Sequence, residues 1–187
     1  MYRFALFSLS VTSSLLLAQP FTQEEAVQHG SAVSAALVQR LSTELKGQME
    51  LGGPMAALRF CSLYALSLTD HVAKDSNATL KRVSLHNRNP VNAPTADEKK
   101  LLEKWEAMQH ANQPLPGYET KRLENGDYHF YKPILITNEA CLKCHGEIAA
   151  GSPLAKAIKA IYPDDKATGY KMGNLRGMIV VTLPNRP

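Results

Sequence analysis

Five consecutive residues constrain this chain more than any others: Cys141-Leu142-Lys143-Cys144-His145. Two thiols three positions apart can each form a thioether to a haem vinyl group. A histidine directly after the second thiol is then held under the iron as an axial ligand. With three cysteines and six histidines in 187 residues, chance would place this pattern in on the order of one such chain in a thousand. A disulfide-forming pair or half of a zinc site are the competing readings. Zinc needs two further ligands at close spacing, and the remaining cysteine, Cys61, stands alone far upstream. A thioredoxin-like pair belongs at the start of a helix after a first strand, early in a domain. The expected cofactor is one covalent haem c, with Cys141 and Cys144 as attachment points and His145 on the iron.

The length allows one domain with a substantial core. Hydrophobic residues at 44% and charged residues at 20% are ordinary for a globular protein. A net charge of +4 without a Lys/Arg cluster gives no reason to expect nucleic acid as a partner. The first residues read as a targeting segment: Arg3, then an apolar or small run over 4–17, ending at Ala18-Gln19-Pro20. The expectation is a signal peptide over 1–18, with an uncleaved anchor as the alternative because Leu16 fits the cleavage site poorly. No later stretch is apolar and long enough to span a membrane. Export to the periplasm fits the motif, because c-type haem is attached outside the bacterial cytoplasm. The remainder, residues 22–187, reads as a single domain, with a helical pair over 22–74 and sheet plus attachment region over 75–187.

Thr22-Gln23-Glu24-Glu25 forms a capping box, followed by Val33, Leu37, Leu41 and Leu45 at helical spacing. Gly52-Gly53 predicts a stop and Pro54 the start of a second helix, running to about residue 74. On that helix Leu58, Cys61, Ala65, Leu68 and Val72 fall on one stripe. Cys61 therefore points into whatever the helix packs against. It reads either as a small buried hydrophobe or, as the odd thiol in an oxidising compartment, as a second iron ligand. Residues 80–85 suggest a short strand, and 86–94 a proline-broken loop whose Arg88, Asn89 and Asn92 could meet haem propionates or simply face solvent. Thr95 to Glu98 is a second capping box, opening a helix with Leu101, Leu102, Trp105 and Met108 inward. Residues 118–123 and 128–136 read as a hairpin, with Asn125-Gly126 predicting a type I′ turn. Asn138 is placed to cap the attachment helix, Ser152-Pro153 opens another, and 177–183 is apolar enough to be a central strand.

These segments resemble a bacterial family of single-haem c-type domains with a PAS-like fold, often catalogued only as a domain of unknown function. The likeness rests on the segment over 53–65 with its cysteine and on Arg88-Asn89-Pro90-Val91-Asn92 with the helix that follows. It extends to Cys141-Leu142-Lys143-Cys144-His145-Gly146, to Asp165-Lys166-Ala167-Thr168-Gly169-Tyr170 and to Gly173-Asn174-Leu175-Arg176-Gly177. The resemblance implies an α+β fold, with a PAS-like antiparallel sheet and long N-terminal helices. It further implies Cys61, as thiolate, opposite His145 on the iron. Competing second ligands in the sequence are Met172 or Met178, then His86, His110 or His129.

Three functional classes follow: a redox or small-ligand sensor, a periplasmic electron-transfer cytochrome, and a haem enzyme such as a peroxidase. A His/thiolate pair fills both axial positions and favours ferric iron, which argues against the enzyme. The sensor reading takes a diatomic gas such as NO or CO as a candidate ligand. The chain carries no output domain of its own, so a separate protein would be its redox or signalling partner. The long N-terminal helices could pair two copies into a homodimer or pack on their own domain.

Overall fold

The computed structural model describes residues 21–185, so the leader expected over 1–18 lies outside the described residues. Helix α1 (Gln23–Leu63) opens on the expected capping box: Thr22 Oγ1 accepts from the Glu25 N–H, and the Glu25 carboxylate accepts from the Thr22 N–H. Two amides left without partners at any helix start are thereby satisfied. The stop at Gly52-Gly53 takes the form of a kink. Gly53 sits at φ 63°, ψ −156°, a conformation essentially confined to glycine. Pro54 begins the next turn, where its missing N–H has no bond to lose.

The helix expected over 54–74 is not straight. It bends at Tyr64 (φ −122°, ψ −20°), and α2 (Ala65–Asp75) leaves α1 at 54°. The hydrogen-bond ladder continues through the bend, from the Tyr64 N–H to the Phe60 carbonyl and from the Leu68 N–H to the Tyr64 carbonyl. Hydroxyl groups account for it. Ser67 Oγ donates to the Tyr64 carbonyl at 2.9 Å and Thr69 Oγ1 to the Ala65 carbonyl at 2.7 Å. Such back-bonding tilts carbonyls away from the helix axis and bends it.

Four strands, β1 (Thr79–Val83), β2 (Glu119–Arg122), β3 (Tyr128–Leu135) and β4 (Leu175–Leu183), form an antiparallel sheet in the order β1-β4-β3-β2. β4 is central as its apolar run predicts, with Val180 opposite Lys81 on one side and Tyr131 on the other. Alternate residues serve two cores. Ile179, Val181 and Leu183 pack with Leu80, Phe130 and the α1 residues Val33 and Leu37. Met178 and Val180 pack with Tyr131 and with Leu102 and Trp105 of α3 (Ala96–His110). The sheet therefore lies between helices on both faces.

The β2–β3 turn differs from expectation. The Gly126 N–H bonds to the Leu123 carbonyl, the Leu123 N–H bonds to the Asp127 carbonyl, and Gly126 alone in the turn has positive φ, at 88°. This is a three-residue loop closed by a left-handed glycine, not a two-residue type I′ turn, which would need positive φ at Asn125 as well. Asp127 favours the longer loop, because its N–H bonds the Asn125 side chain and its Oδ1 accepts from the Asn185 N–H.

Two short helices, α4 (Glu139–His145) and α5 (Pro153–Ile161), complete the fold. Ile158 of α5 and Tyr162 pack on Leu58 of α1 in a third, smaller core. The α+β class is as expected, and the sheet excludes a four-helix bundle. Among the described residues no single helix is long and apolar enough to cross a membrane.

Candidate functional site

Helix α4 is a seven-residue turn held from both ends. At its start Asn138 Oδ1 accepts from the Cys141 N–H at 3.2 Å, the expected cap. At its end the His145 ring donates from Nδ1 to the Ala167 carbonyl at 2.7 Å. That bond fixes the tautomer and leaves Nε2, with its lone pair, as the free donor atom. Burial first, then the Arg176 and Arg88 charges, holds the imidazole at a pKa of about 3. The ring is neutral at ordinary pH, the form that can ligate a metal.

Arg88 fastens this assembly. Its Nε and Nη2 donate to Asp165 at 3.0 and 3.2 Å, and Nη2 also reaches the Cys144 carbonyl at 2.7 Å and the Ala167 carbonyl at 3.3 Å. It is therefore not the solvated loop residue that its sequence context allows, and it also lines the cavity. Asn89 and Asn92 line the cavity beside it.

Helix α4 faces a crevice that it forms with α1 and the strands β1 and β4. One side lies beside Cys144 and Tyr162, the other beside Leu37, Leu41 and Ile134. Both parts are lined by Leu45, Cys61, Arg82, Asn92, Cys141, His145 and Arg176. The α1 stripe has two tasks: Val33 packs on the sheet, while Leu41 and Leu45 form the crevice's apolar wall.

Cys61 stands on α1 across this crevice from α4. Its side chain is open to the cavity yet ringed by protein, so it counts as exposed by area while desolvation still pushes its thiol up. The Arg82 charge opposes that rise. It is not a packed core residue. The other candidate ligands lie elsewhere. Met178 is buried on the α3 face of the sheet, Met172 is exposed, His86 and His110 border a separate surface depression, and His129 bonds Tyr131 on the sheet. All three cysteines are unpaired. Among the described residues, no cluster of three or more His, Cys, Asp or Glu is placed to hold a metal ion, so the half-zinc-site reading lacks its other half.

Two residues to which the sequence reading gave no role in the site complete the walls. Arg82 of β1 shares the inward face with Leu80, two positions before it. A charge on a buried stripe is a signal that period-2 alternation could have flagged. Arg176, at the start of β4, stacks over the Tyr170 ring at 5.4 Å. Tyr170 in turn meets His145 edge-on at 6.3 Å and His86 at 6.5 Å.

A family model described as Tll0287-like matches residues 18–184, almost the whole chain. This chain belongs to the Tll0287-like family. The crystal structure of the cyanobacterial haem protein Tll0287 is similar to it, with a TM-score of 0.61 and 24% sequence identity over 88% of this chain and 97% of that one. At that identity the likeness establishes the α+β fold. No curated protein sequence matches the chain. The Tll0287-like match spans every crevice residue named above, from α1 to β4.

Proposed function

We propose that this Tll0287-like chain is an exported haem protein. In this reading Cys141 and Cys144 would hold one haem c through thioethers, and His145 and Cys61 would be its iron ligands. The observation that carries it is the juxtaposition around one crevice of two attachment thiols, a neutral imidazole with a free Nε2, and a third thiol on the opposite wall. The cyanobacterial haem protein with the same fold supports it. An imidazole nitrogen with a thiolate is a donor set suited to iron.

When bound, the cofactor supplies one-electron redox chemistry. The chain's residues decide what else can happen. His145 is anchored through the Ala167 carbonyl, and that carbonyl also accepts from Arg88. Cys61 has no comparable anchor, and burial opposes its thiolate. It is thus the less firmly held of the two candidate ligands. A side chain that can be bound or free is a two-state element, which would suit a sensor of redox change or of a diatomic gas better than an enzyme. A separate redox or signalling protein would read that switch, and the periplasm is the compartment that fits attachment.

A second reading, an electron carrier, has one observation behind it: the ring sequence His145–Tyr170–His86 leads from the buried imidazole to an exposed side chain. Low-temperature EPR with near-infrared absorption on ferric holoprotein tests the assignment, wild type beside Cys61→Ser. The expected result is a low-spin thiolate signature that vanishes in the variant. An unchanged methionine or bis-histidine signature removes Cys61 from the iron and brings the carrier reading forward.

A further inference from the structure

Arg82 and Arg176 sit on the neighbouring strands β1 and β4, and both line the two parts of the crevice. Neither makes an ion pair with any carboxylate among the described residues. Arg82 donates from Nη2 to the Ala65 carbonyl at 3.4 Å. Arg176 donates from Nη1 to Ser84 Oγ at 2.9 Å and to the His86 carbonyl at 3.2 Å. The Nε of each is buried and has no partner. Asp165, whose charge reaches Arg176, is already bridged by Arg88.

Two half-buried guanidinium groups without counter-ions, each with its Nε buried, are costly, because a charge taken out of water needs a partner of opposite sign. Here the difficulty is compounded, since burial acts against both charged forms, and the Arg176 charge opposes Arg82 while the Arg88 charge opposes Arg176. A Cys61 thiolate would balance Arg82 and leave Arg176 unmatched. A guanidinium edge offers parallel N–H donors spaced for the two oxygens of a carboxylate. An unused Nε on each residue leaves such an edge incomplete.

We propose that Arg82 and Arg176 form a two-point carboxylate subsite on the sheet wall of the crevice, which holds the two propionates of the bound porphyrin. The assignment rests on the haem reading above and gives Arg88, the arginine its loop context suggests for this task, a purely structural role. It makes the crevice selective for a porphyrin bearing two free acids.

The test uses the full chain with Cys141→Ala and Cys144→Ala, so that added iron protoporphyrin binds reversibly. Absorbance titrations compare the free diacid with its dimethyl ester, on the native arginines and on Arg82→Gln and Arg176→Gln. The ester is expected to bind the native arginines at least about tenfold more weakly than the diacid. Each Gln variant should lose a similar factor for the diacid and little for the ester. Equal affinity of diacid and ester on the native arginines overturns the subsite, whatever the variants do to folding. Failure of either porphyrin to give a His145-dependent spectrum overturns the haem reading itself, and the subsite with it.

Discussion

Arg88 donates to three groups that together position helix α4: the Asp165 carboxylate and the carbonyls of Cys144 and Ala167. Its side chain is 11% exposed and that of Asp165 8%, so removing the cation strands a buried carboxylate. Arg88→Ala is expected to lower stability by about 3–5 kcal/mol, the range for breaking a buried pair. Arg88→Lys should recover little, because one ammonium cannot replace the fork. Urea denaturation measures both, and a loss for Arg88→Ala below about 1 kcal/mol would mark the pair as no stronger than a surface bridge. On the α3 face of the sheet, His129 Nδ1 lies 2.8 Å from the Tyr131 hydroxyl. Burial lowers the imidazole pKa and pushes the phenol up to about 12. The groups around the pair are Glu98, Lys81, Lys121, Asp127, Asp97 and Glu119. Below about pH 6.5 the unfolded chain takes up the histidine proton before the folded one does. Stability from His129 is therefore present above that value and lost on acidification through the folded pKa. For Tyr131 the unfolded chain loses its proton first, so stability falls between about pH 10 and about 12. Denaturation midpoints against pH should show both limbs, the acid one shallower in His129→Gln and the alkaline one shallower in Tyr131→Phe. Slopes unchanged by these substitutions would assign the pH dependence to other groups.

At the level of elements, the sequence marks what local chemistry controls. Thr22 with Glu25 and Thr95 with Glu98 announce their helices through capping boxes, and Asn138 and Ser152 cap α4 and α5. The apolar run over 177–183 is buried enough to be central, and it is. The bend at Tyr64 was not legible, because neither Gly nor Pro marks it. Back-bonding hydroxyls are common in straight helices too, so Ser67 and Thr69 become informative only with the geometry in hand. The β2–β3 loop was misread for a similar reason. Asn-Gly fits either turn, and a bond from the distant Asn185 N–H helps to decide it. In the site, the thiol pair and His145 were legible from spacing. Cys61 was legible as a stripe residue, but that it faces a cavity while Leu58 and Ala65 of the same stripe are buried depends on how α1 leaves the sheet. The kink at Gly53 directs that departure. Nothing lies within 4 Å of a Cβ built on Gly53, so Gly53→Ala meets no clash and tests backbone conformation alone. It is expected to destabilise by about 1–3 kcal/mol, read from the denaturant midpoint. A neutral substitution would mean that the kink relaxes into an ordinary helical conformation.

On the scale of the whole molecule, the three cores are unequal. Two of them sandwich the sheet, one with Phe130, Leu37, Ile179 and Leu183, the other with Trp105, Leu102 and Met178. The third, around Leu58, Ile158 and Tyr162, is small, yet it joins the end of α1 to α5 beside α4. The crevice runs along this weaker junction, so one wall belongs to the sandwich and the other to the small core. Stability in a protein is distributed according to such local burial. A ligand that touches both walls adds its interactions across the junction and nowhere else. Chain lacking the cofactor should therefore show two tiers of amide protection: high in β3 and β4, low over residues 54–63 and in α4 and α5. Loading with haem is expected to raise the lower tier by at least about tenfold, equivalent to ~1.4 kcal/mol, and to leave the amides of β3 and β4 nearly unchanged. Hydrogen exchange on loaded and unloaded chain measures this directly. Uniform protection before loading, or a rise shared equally by all elements, would mean that the chain folds as one cooperative unit and that the crevice wall at α1 and α5 is already rigid without its occupant.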